Sequence, residues 1–402
     1  MITQHLKLVI PLTVALACGS AAVSAAPLVL GDDLNSLTVF SNTYTTTGAN
    51  SSVYGNVLSG GVSTTGTNAA VTGNLVSVGS ANVGGGTSTV GGDVTSNGAM
   101  MVGGAVTALN GPIVSGSITS TGDSTIGAYA TVGGDMLSGG AATTDANANV
   151  LGNLWSGGAA TVGANSTVSG NLTSTSGPIT ISASGNVGGT QATGGAMPTL
   201  SGVRTSVSSE STQVTNAQNL LSGLGSGTAL AAVPFSMTLA PGVYSAASLS
   251  MAAGNTFTLD GQGQEDPFWV FNIKDILAPG DDTVVSLINA GDNASVFWNV
   301  SDGYASIGDN STFIGTIFAD NYISVGASTT VSGLGSSCGG IFSATSYVST
   351  GDGASIGGIG CSGVNVTSVT SAVPEPQMFG LMLTGLGVLG FVTRRRAQAK
   401  RA

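Results

Sequence analysis

An internal repeat constrains the fold of this chain more than any other feature. A five-residue motif recurs along residues 53–172: valine, any residue, glycine, frequently Asn or Asp, and an apolar residue. Successive copies begin 18, 19, 12, 12, 18, 18 and 18 residues apart, so that all but one spacing is a multiple of six. A fixed short period predicts stacked supersecondary units. The copies begin at Val53, Val71, Val90, Val102, Val114, Val132, Val150 and Val168.

The alternation of side chains along a strand gives this repeat a geometry. Residues i, i+2 and i+4 share one face of a strand, so the valine, the glycine and the final apolar residue are predicted to point inward together. A period of 18 residues suits a three-sided coil with three short strands. Coils stack about 4.8 Å apart, and spacings of 12 then mean that the motif skips one side. The predicted fold class is all-β, an irregular triangular β-helix.

A section without the 18-residue repeat separates two repetitive parts of the chain. Triplets that begin at Ser306 and Ser324 restore the 18-residue period near the end of the chain. Residues 238–271 are richer in aromatic residues and are predicted to form ordinary strands and turns. Before them, apolar residues at helical spacing predict one long α-helix, which we expect to lie along one side of the solenoid and cover apolar surface. These residues are Val203, Val207, Val214, Leu221 and Leu224.

The charge distribution excludes a nucleic-acid partner. Residues 26–393 contain all 19 acidic residues but only two basic ones, Arg204 and Lys274, a formal charge of 2 − 19 = −17. Binding to phosphates requires a basic surface, which this region lacks. Only 7% of all residues are charged, and this argues against a disordered chain.

The amino terminus has the pattern of an export signal. Residues 1–25 contain Lys7, an apolar run that ends at Cys18, and small residues up to a cleavage position after Ala25, which predicts a signal peptide. A lipoprotein site at Cys18 is the alternative. Either form of processing removes His5, the one histidine of the sequence.

The carboxyl terminus carries a second address. A short apolar stretch, residues 378–392, would span about 22 Å as a helix, which is less than the roughly 30 Å hydrocarbon core of a bilayer. The arginines that follow it would remain on the cytoplasmic side. This tail resembles the PEP-CTERM sorting signal of Gram-negative bacteria. The resemblance implies an exosortase-type processing enzyme and an exopolysaccharide-rich surface; a plain membrane anchor is the alternative. The residues that carry the resemblance are Pro374, Glu375, Pro376, Arg394, Arg395 and Arg396.

Little in the mature sequence suggests catalysis. Without histidine, Ser-His-Asp and Cys-His catalysis and histidine metal sites are excluded. Ser355 lies in a Gly-x-Ser-x-Gly pattern that has no base to accompany it. Pairs of acidic residues beside glycines, as at 281–282, are expected to form solvated turns, with a calcium site as the alternative. We predict no enzyme activity, no cofactor and no metal site.

Two cysteines remain after export, Cys338 and Cys361. An oxidising compartment permits a disulfide between them. Two reduced thiols are the alternative.

The residue before each motif valine is predicted to point outward. Threonine dominates this column, and its methyl and hydroxyl groups could together hold water in an ordered layer. Threonine also favours strands for structural reasons alone. Met101 and Ile113 interrupt the column. Its candidate surface-binding residues are Thr89, Thr131, Thr167, Thr312 and Thr330.

Residues 239–333 resemble the bacterial and fungal ice-binding β-solenoid family. The similarity is dense over about a quarter of the chain and specific in the order of its segments. It implies an irregular β-helix with one helix alongside, and adsorption to ice. The segments are Leu239–Tyr244 (LAPGVY), Leu259–Gly263, Phe268–Ile273, Val296–Val300 and Ser311–Ile317.

The sequence thus predicts a domain order and a function. We expect an exported protein, transiently anchored in the inner membrane and displayed at the surface, outer envelope or matrix of a Gram-negative bacterium. It would adsorb to ice or a similar repetitive surface; a structural adhesin that binds extracellular polysaccharide is the alternative. The expected parts are a signal peptide (1–25), a repetitive solenoid (26–200), a helix (201–225), an ice-binding-like solenoid (226–365), a linker (366–377) and a transmembrane helix with a basic tail (378–402).

Overall fold

The computed structural model describes residues 32–105, 111–232, 236–291, 293–334, 338–359, 361 and 364. They belong to one compact unit, Leu28–Val369, which has its own apolar core and can therefore be treated as an independently folding body. The predicted signal peptide, sorting signal and C-terminal transmembrane helix lie outside the described residues. Within the described residues, no helix combines the length and the apolar character needed to cross a bilayer.

The first half of the unit is a solenoid with three strands per coil, and every strand pairing is parallel. In the first coil, side 1 is Leu37–Ser41, side 2 is Thr45–Thr47 and side 3 is Ser52–Val53, and later strands follow the same order. A short helix, α1 (Asp32–Asn35), precedes them. The strands are β1 (Leu37–Ser41), β2 (Thr45–Thr47), β3 (Ser52–Val53), β4 (Asn56–Ser59), β5 (Ser63–Thr65), β6 (Ala70–Val71), β7 (Leu75–Ser77), β8 (Ala81–Val83), β9 (Thr89–Val90), β10 (Val94–Ser96), β11 (Met100–Val102), β12 (Ile113–Val114), β13 (Ile118–Ser120), β14 (Ser124–Ile126), β15 (Thr131–Val132), β16 (Met136–Ser138), β17 (Ala142–Thr144), β18 (Asn149–Val150), β19 (Leu154–Ser156), β20 (Ala160–Val162), β21 (Thr167–Val168), β22 (Leu172–Ser174), β23 (Ile179–Ile181), β24 (Asn186–Val187) and β25 (Gln191–Thr193).

The second half completes the solenoid after a helix. Its early strands are long because they run around the corner between sides 1 and 2 without a break, as β28 and β30 do. Residues 238–271, expected as ordinary strands and turns, are part of these coils. The elements are α2 (Ser208–Ser222), β26 (Thr228–Ala229), β27 (Met237–Leu239), β28 (Gly242–Leu249), β29 (Thr256–Asp260), β30 (Phe268–Leu277), β31 (Val284–Ile288), β32 (Ser295–Val300), β33 (Tyr304–Ile307), β34 (Thr312–Ile314), β35 (Thr316–Ala319), β36 (Ile323–Val325), β37 (Thr330–Ser332), β38 (Ile341–Ser343), β39 (Val348–Thr350) and β40 (Ser355–Gly357).

The predicted stacking of the motif valines is confirmed, with one exception. Val132 pairs with Val150, Val150 pairs with Val168, and all three are fully buried on side 3. The exception is Val102, which lies on side 2 between Val83 and Ile126. The coil from Val90 to Val114 is 24 residues long, and this accounts for the two spacings of 12.

The motif itself spans a corner, which corrects the prediction that its valine, glycine and final apolar residue share one face of a strand. In the copy that begins at Val150, the valine ends β18 on side 3 and Leu154 begins β19 on side 1. The glycine between them, Gly152, lies in the corner. A Cβ atom there would lie 2.4 Å from Asp135 Oδ1 and 2.6 Å from a carbonyl oxygen of the preceding coil, so that only glycine fits.

The Asn or Asp that follows the motif glycine holds successive coils together. Asp135 Oδ1 accepts the backbone N–H of Asn153 at 2.7 Å, and Asn153 Oδ1 accepts the backbone N–H of Asn171 at 2.9 Å. Asn56 and Asn74 make the same bond to the coil above them. Each bond satisfies an N–H that the corner would otherwise leave without a partner. This explains why the motif prefers these two residue types.

The two halves of the solenoid meet directly, although the sequence placed a different section between them. The first coil pairs with the last one on all three sides: Val39 with Ile341, Thr45 with Val348, and Ser52 with Ser355. The chain therefore begins in the middle of the stack and builds outward to residue 193. It then returns and builds the second half from the far end back to the middle.

The returning chain covers side 1. Helix α2 is 15 residues long and begins at Ser208, later than the predicted 201–225, and it packs against β30, β32 and β38. The buried side chain of Asn299 donates to Gln218 O and to Ser222 Oγ, both at 3.0 Å. The buried Gln218 donates back to Val300 O at 2.8 Å. Sides 2 and 3 carry no such cover among the described residues.

A disulfide closes the last coil. Cys338 and Cys361 are joined with 5.1 Å between their Cα atoms, which is the first of the two alternatives considered from the sequence. The core of this half is aromatic: the rings of Phe271 and Trp298 stack at 4.0 Å, and Trp298 lies 4.5 Å from Phe313. The core of the first half is aliphatic, because valine and leucine fill its inward positions.

Candidate functional site

Side 3 is one continuous parallel sheet of 14 strands that runs through both halves. One outward position per strand forms a ladder through both halves, because each such residue pairs in register with the equivalent residue one coil away; the longer strands of the second half have further outward residues, such as Thr258 and Ser286. We call the residues at this one position the side-3 ladder. In order from the end of the first half, they are Asn186, Thr167, Asn149, Thr131, Ile113, Thr89, Ala70, Ser52, Ser355, Thr330, Thr312, Val284 and Thr256.

All five threonines proposed from the sequence lie on this ladder. Thr312 and Thr330 are direct neighbours, and Thr312 is exposed. Thr89, Thr131, Thr167 and Thr330 are half-buried. Met101 is not part of the ladder, which corrects its place in the predicted column; it lies on side 2 with 49% of its surface exposed. Ile113 does interrupt the ladder, between Thr89 and Thr131.

Buried hydroxyl groups fix the backbone beside the ladder. Thr329, which is fully buried, donates from Oγ1 to Gly308 O at 2.7 Å and accepts the backbone N–H of Ser311 at 3.0 Å. Ser166, also fully buried, precedes Thr167 and donates to Asp145 O. Each of these hydroxyls precedes a ladder threonine and bonds to the preceding coil. The backbone that carries the outward side chains is therefore fixed by hydrogen bonds to the preceding coil.

The side-3 ladder is uncharged. Arg204 is engaged elsewhere, because its guanidinium is paired with the buried carboxylate of Glu210. Lys274 lies in β30, which belongs to sides 1 and 2. Asp260, at the end of β29, is the nearest carboxylate in sequence to Thr256. Hydrogen bonds from the Asn289 side chain and the Gln262 backbone hold the pKa of Asp260 below its usual value, so this group stays ionised at the edge of side 3.

Side 2 carries a second column of threonines that the sequence analysis missed. Its outward residues are small and polar in the first half, apart from Met101, and serine in the second half. The signal in the sequence was the same 18-residue spacing applied to a different position, as between Thr46 and Thr64. The column is Thr180, Thr161, Thr143, Thr125, Met101, Asn82, Thr64, Thr46, Ser349, Ser324 and Ser306.

Beside this column, side 2 also bears a row of stacked tyrosines. The ring centroids of Tyr304, Tyr322, Tyr347 and Tyr44 follow one another at 4.6, 5.0 and 4.7 Å. Burial raises the pKa of Tyr322, and the neighbouring phenol groups raise it further. The second half of side 2 therefore presents large aromatic side chains, whereas the ladder of side 3 has none.

The structure also locates the Gly-x-Ser-x-Gly pattern that was considered as a catalytic motif. Ser355, in the Gly-x-Ser-x-Gly pattern, is a member of the side-3 ladder between Ser52 and Thr330. It therefore lies in a flat sheet rather than in a turn between a strand and a helix. Among the residues that the structure describes, no group of three or more His, Cys, Asp or Glu side chains could hold a metal ion.

Comparisons with known proteins support the resemblance seen in the sequence. Residues 181–341 match the model of the family described as Ice-binding-like. Ice-binding protein 1 of Shewanella frigidimarina is 38% identical over 101 residues, which are 24% of this chain and 11% of that protein. The two proteins thus share one segment and not their full length.

Solved structures of ice-binding proteins also align with this chain, at low TM-scores. An ice-binding protein from the Antarctic ascomycete Antarctomyces psychrotrophicus is 20% identical and covers 51% of this chain and 93% of its own, with a TM-score of 0.30. An ice-binding protein from an Antarctic bacterium of the Flavobacteriaceae is 16% identical and covers 80% of this chain and 96% of its own, with a TM-score of 0.32.

The end of the chain matches a second model, the PEP-CTERM protein-sorting motif, over residues 372–396. This match includes Pro374 to Pro376 and Arg394 to Arg396, the residues that carried the resemblance. Such a motif implies export and sorting to the cell surface in bacteria. Residues 181–341 of this chain are therefore similar to the ice-binding-like family, and residues 372–396 match the PEP-CTERM protein-sorting motif.

Proposed function

We propose that this protein is displayed at the bacterial surface and adsorbs to ice through side 3. The observation that carries the proposal is the side-3 ladder, thirteen outward positions in register and without a charged side chain. Its members at residues 186, 256, 284, 312 and 330 lie within the region similar to the ice-binding-like family, and the remaining ones extend the same surface.

The chemistry of the ladder suits a solid made of water. A threonine hydroxyl can bond a water molecule, while its methyl group limits the orientations that the water adopts. Coils repeat about every 4.8 Å, so the thirteen positions extend over roughly 58 Å. An ionised side chain would hold water in its own hydration shell, and the ladder contains none. The buried hydroxyls of Thr329 and Ser166 keep the backbone rigid, so little conformational freedom is lost on adsorption.

The sorting motif supports a location outside the cell. We propose that an exosortase-type enzyme processes the tail and that the apolar stretch 378–392 anchors the chain in the inner membrane before processing. Export also agrees with the disulfide between Cys338 and Cys361, since such bonds persist in oxidising compartments. The protein would then present the uncharged side-3 ladder to the exterior.

Paired substitutions within one coil test which side adsorbs. Thr131 and Thr143 belong to the same coil and are both half-buried, but they point outward on side 3 and side 2 respectively. We expect Thr131→Tyr to abolish ice recrystallisation inhibition and thermal hysteresis of residues 28–369, because the bulky ring prevents close approach of the ladder to ice. Thr143→Tyr is the matched control and should retain activity. Thr330→Tyr should repeat the loss in the other half.

Two results would contradict this assignment. Loss of activity in Thr143→Tyr with full activity in Thr131→Tyr would move adsorption to side 2. Absence of any effect of the wild-type protein on ice, together with binding to purified exopolysaccharide, would favour the structural adhesin. Circular dichroism of each variant establishes that the solenoid remains folded.

A further inference from the structure

One end of the solenoid is open. The last coil of the first half consists of β23, β24 and β25, and among the described residues each of these strands is paired on one edge only. The side chains that should fill its core are only half-buried: Ile179, Ile181 and Val187. Their equivalents one coil inward are fully buried. We call this coil, residues 178–193, the open end.

Half of the backbone groups of the open end have no partner among the residues that the structure describes. Peptide groups of a parallel strand alternate in direction, and the N–H of Ser182 donates inward to Val162 O at 2.8 Å. Ile179 and Ile181 therefore direct their N–H and C=O groups away from the solenoid. Gly194 donates inward to Ser174 O in the same way, so Gln191 and Thr193 also point outward. Such unpaired edges are templates for further strands.

Nothing among the described residues closes this end. The chain leaves it at Gly194, where φ is +76°, and returns along side 1, since Gly195 lies against Thr173 of an inner coil. An open depression of about 400 Å³ remains, lined by Ile179, Ile181, Gln191, Ala192 and Thr193.

The core at the other end of the stack is better covered, although its terminal strands, β26 and β27, also pair on one edge only among the described residues. There, Leu239 and Tyr244 are only 8% exposed, and the Tyr244 hydroxyl bonds to Ala240 O at 2.6 Å.

The open end lacks the devices that protect strand edges. Exposed edges are commonly blunted by charged residues, especially lysine. No charged residue occurs from residue 146 to residue 203, so the outer coils of the first half are neutral. All the acidic residues of the chain lie outside this segment. At the open end, two copies can approach without bringing like charges together.

We propose that two copies of this protein associate end to end through the open end. A surface that binds the open end must present three unpaired strand edges around an apolar centre. The open end of a second copy has these features. Two identical ends meet with their strands antiparallel, an arrangement in which exposed edges pair well. The isoleucines of both copies then fill the shared depression. In the dimer, the two solenoids share one axis. This association does not depend on whether the protein adsorbs to ice.

Sedimentation equilibrium over a wide concentration range tests the proposal. Residues 28–369 and the full chain in mild detergent are both expected to form dimers. Ile179→Lys should weaken association by at least about tenfold, because it would bury an unpaired charge between the copies. Thr180→Lys is the matched control on the same strand; its side chain is exposed on side 2 and its dimer should persist.

Hydrogen exchange supplies a second readout that does not depend on a variant. The amides of Ile179, Ile181, Gln191 and Thr193 should become protected as the concentration of the wild-type protein rises. A monomer at every concentration, in either form of the protein, would overturn the proposal. So would a dimer that Ile179→Lys leaves unchanged, or one that forms without protecting these four amides.

Discussion

At the scale of single residues, the corner glycine is the strictest requirement of this fold. We expect Gly152→Ala to destabilise the protein by about 1–3 kcal/mol, because its Cβ would overlap Asp135 Oδ1 and the backbone of the coil below. Urea unfolding followed by circular dichroism measures the loss. Leu151→Ala is the matched control, since the adjacent leucine is 55% exposed and its truncation should change stability by less than about 0.5 kcal/mol. Equal effects of the two substitutions would contradict this account of the corner.

The same corner shows what could be predicted from the sequence at this scale. The stacking of Val132, Val150 and Val168 follows from the period alone, since equivalent positions of a regular coil must coincide. The sequence could not show whether the motif glycine lies within a strand or in a corner, because the same five-residue pattern fits both. Only the contacts of Gly152 with the coil below distinguish the two.

At the scale of elements, helix α2 depends on a polar contact in addition to apolar packing. Asn299 is fully buried and donates to Gln218 O and Ser222 Oγ in the last turns of the helix. We expect Asn299→Ala to lower the free energy of unfolding by about 1–3 kcal/mol, because buried acceptors lose their donor. Thermal unfolding measures the effect. Leu220→Ala, on the exposed side of the helix, should be nearly neutral; a larger loss there than at Asn299 would contradict the predicted role.

The elements were only partly predictable. Apolar spacing predicted α2 and its position alongside the solenoid, but it placed the start before Ser208 because Val203 fits the same period. The threonines of side 2 were not predicted, because the prediction considered only the residue that precedes each motif valine. Thr46, Thr64 and Thr143 become a column only when the coil is divided correctly into three sides.

At the scale of the whole molecule, the arrangement of the two halves was beyond the reach of the sequence. The pairing of β1 with β38 joins residues about 300 positions apart, and no local pattern marks strands that pair at such a distance. The repeat shows that coils stack, but it does not show which coil is first in space. The chain must therefore close its longest loop to form the middle of its own stack, and this predicts slow folding.

The disulfide between Cys338 and Cys361 stabilises this middle. It constrains the last coil, which lies between the first coil and the rest of the second half. The bond joins residues 23 positions apart, and its removal in the double variant Cys338→Ser, Cys361→Ser should cost about 3 kcal/mol of unfolding free energy. Hydrogen exchange should then show the largest loss of protection in β38, β39 and β40 and in the first coil, because both sides of the junction depend on them.

Thermal unfolding with and without a reductant provides the control. The wild-type Tm should fall to that of the double variant once a thiol assay shows the disulfide to be open, whereas the variant should not respond to reductant. A wild-type Tm that is unchanged after reduction would mean that strand pairing alone holds the junction. A loss of protection in the double variant that is no larger in β38, β39 and β40 than in the rest of the stack would have the same meaning.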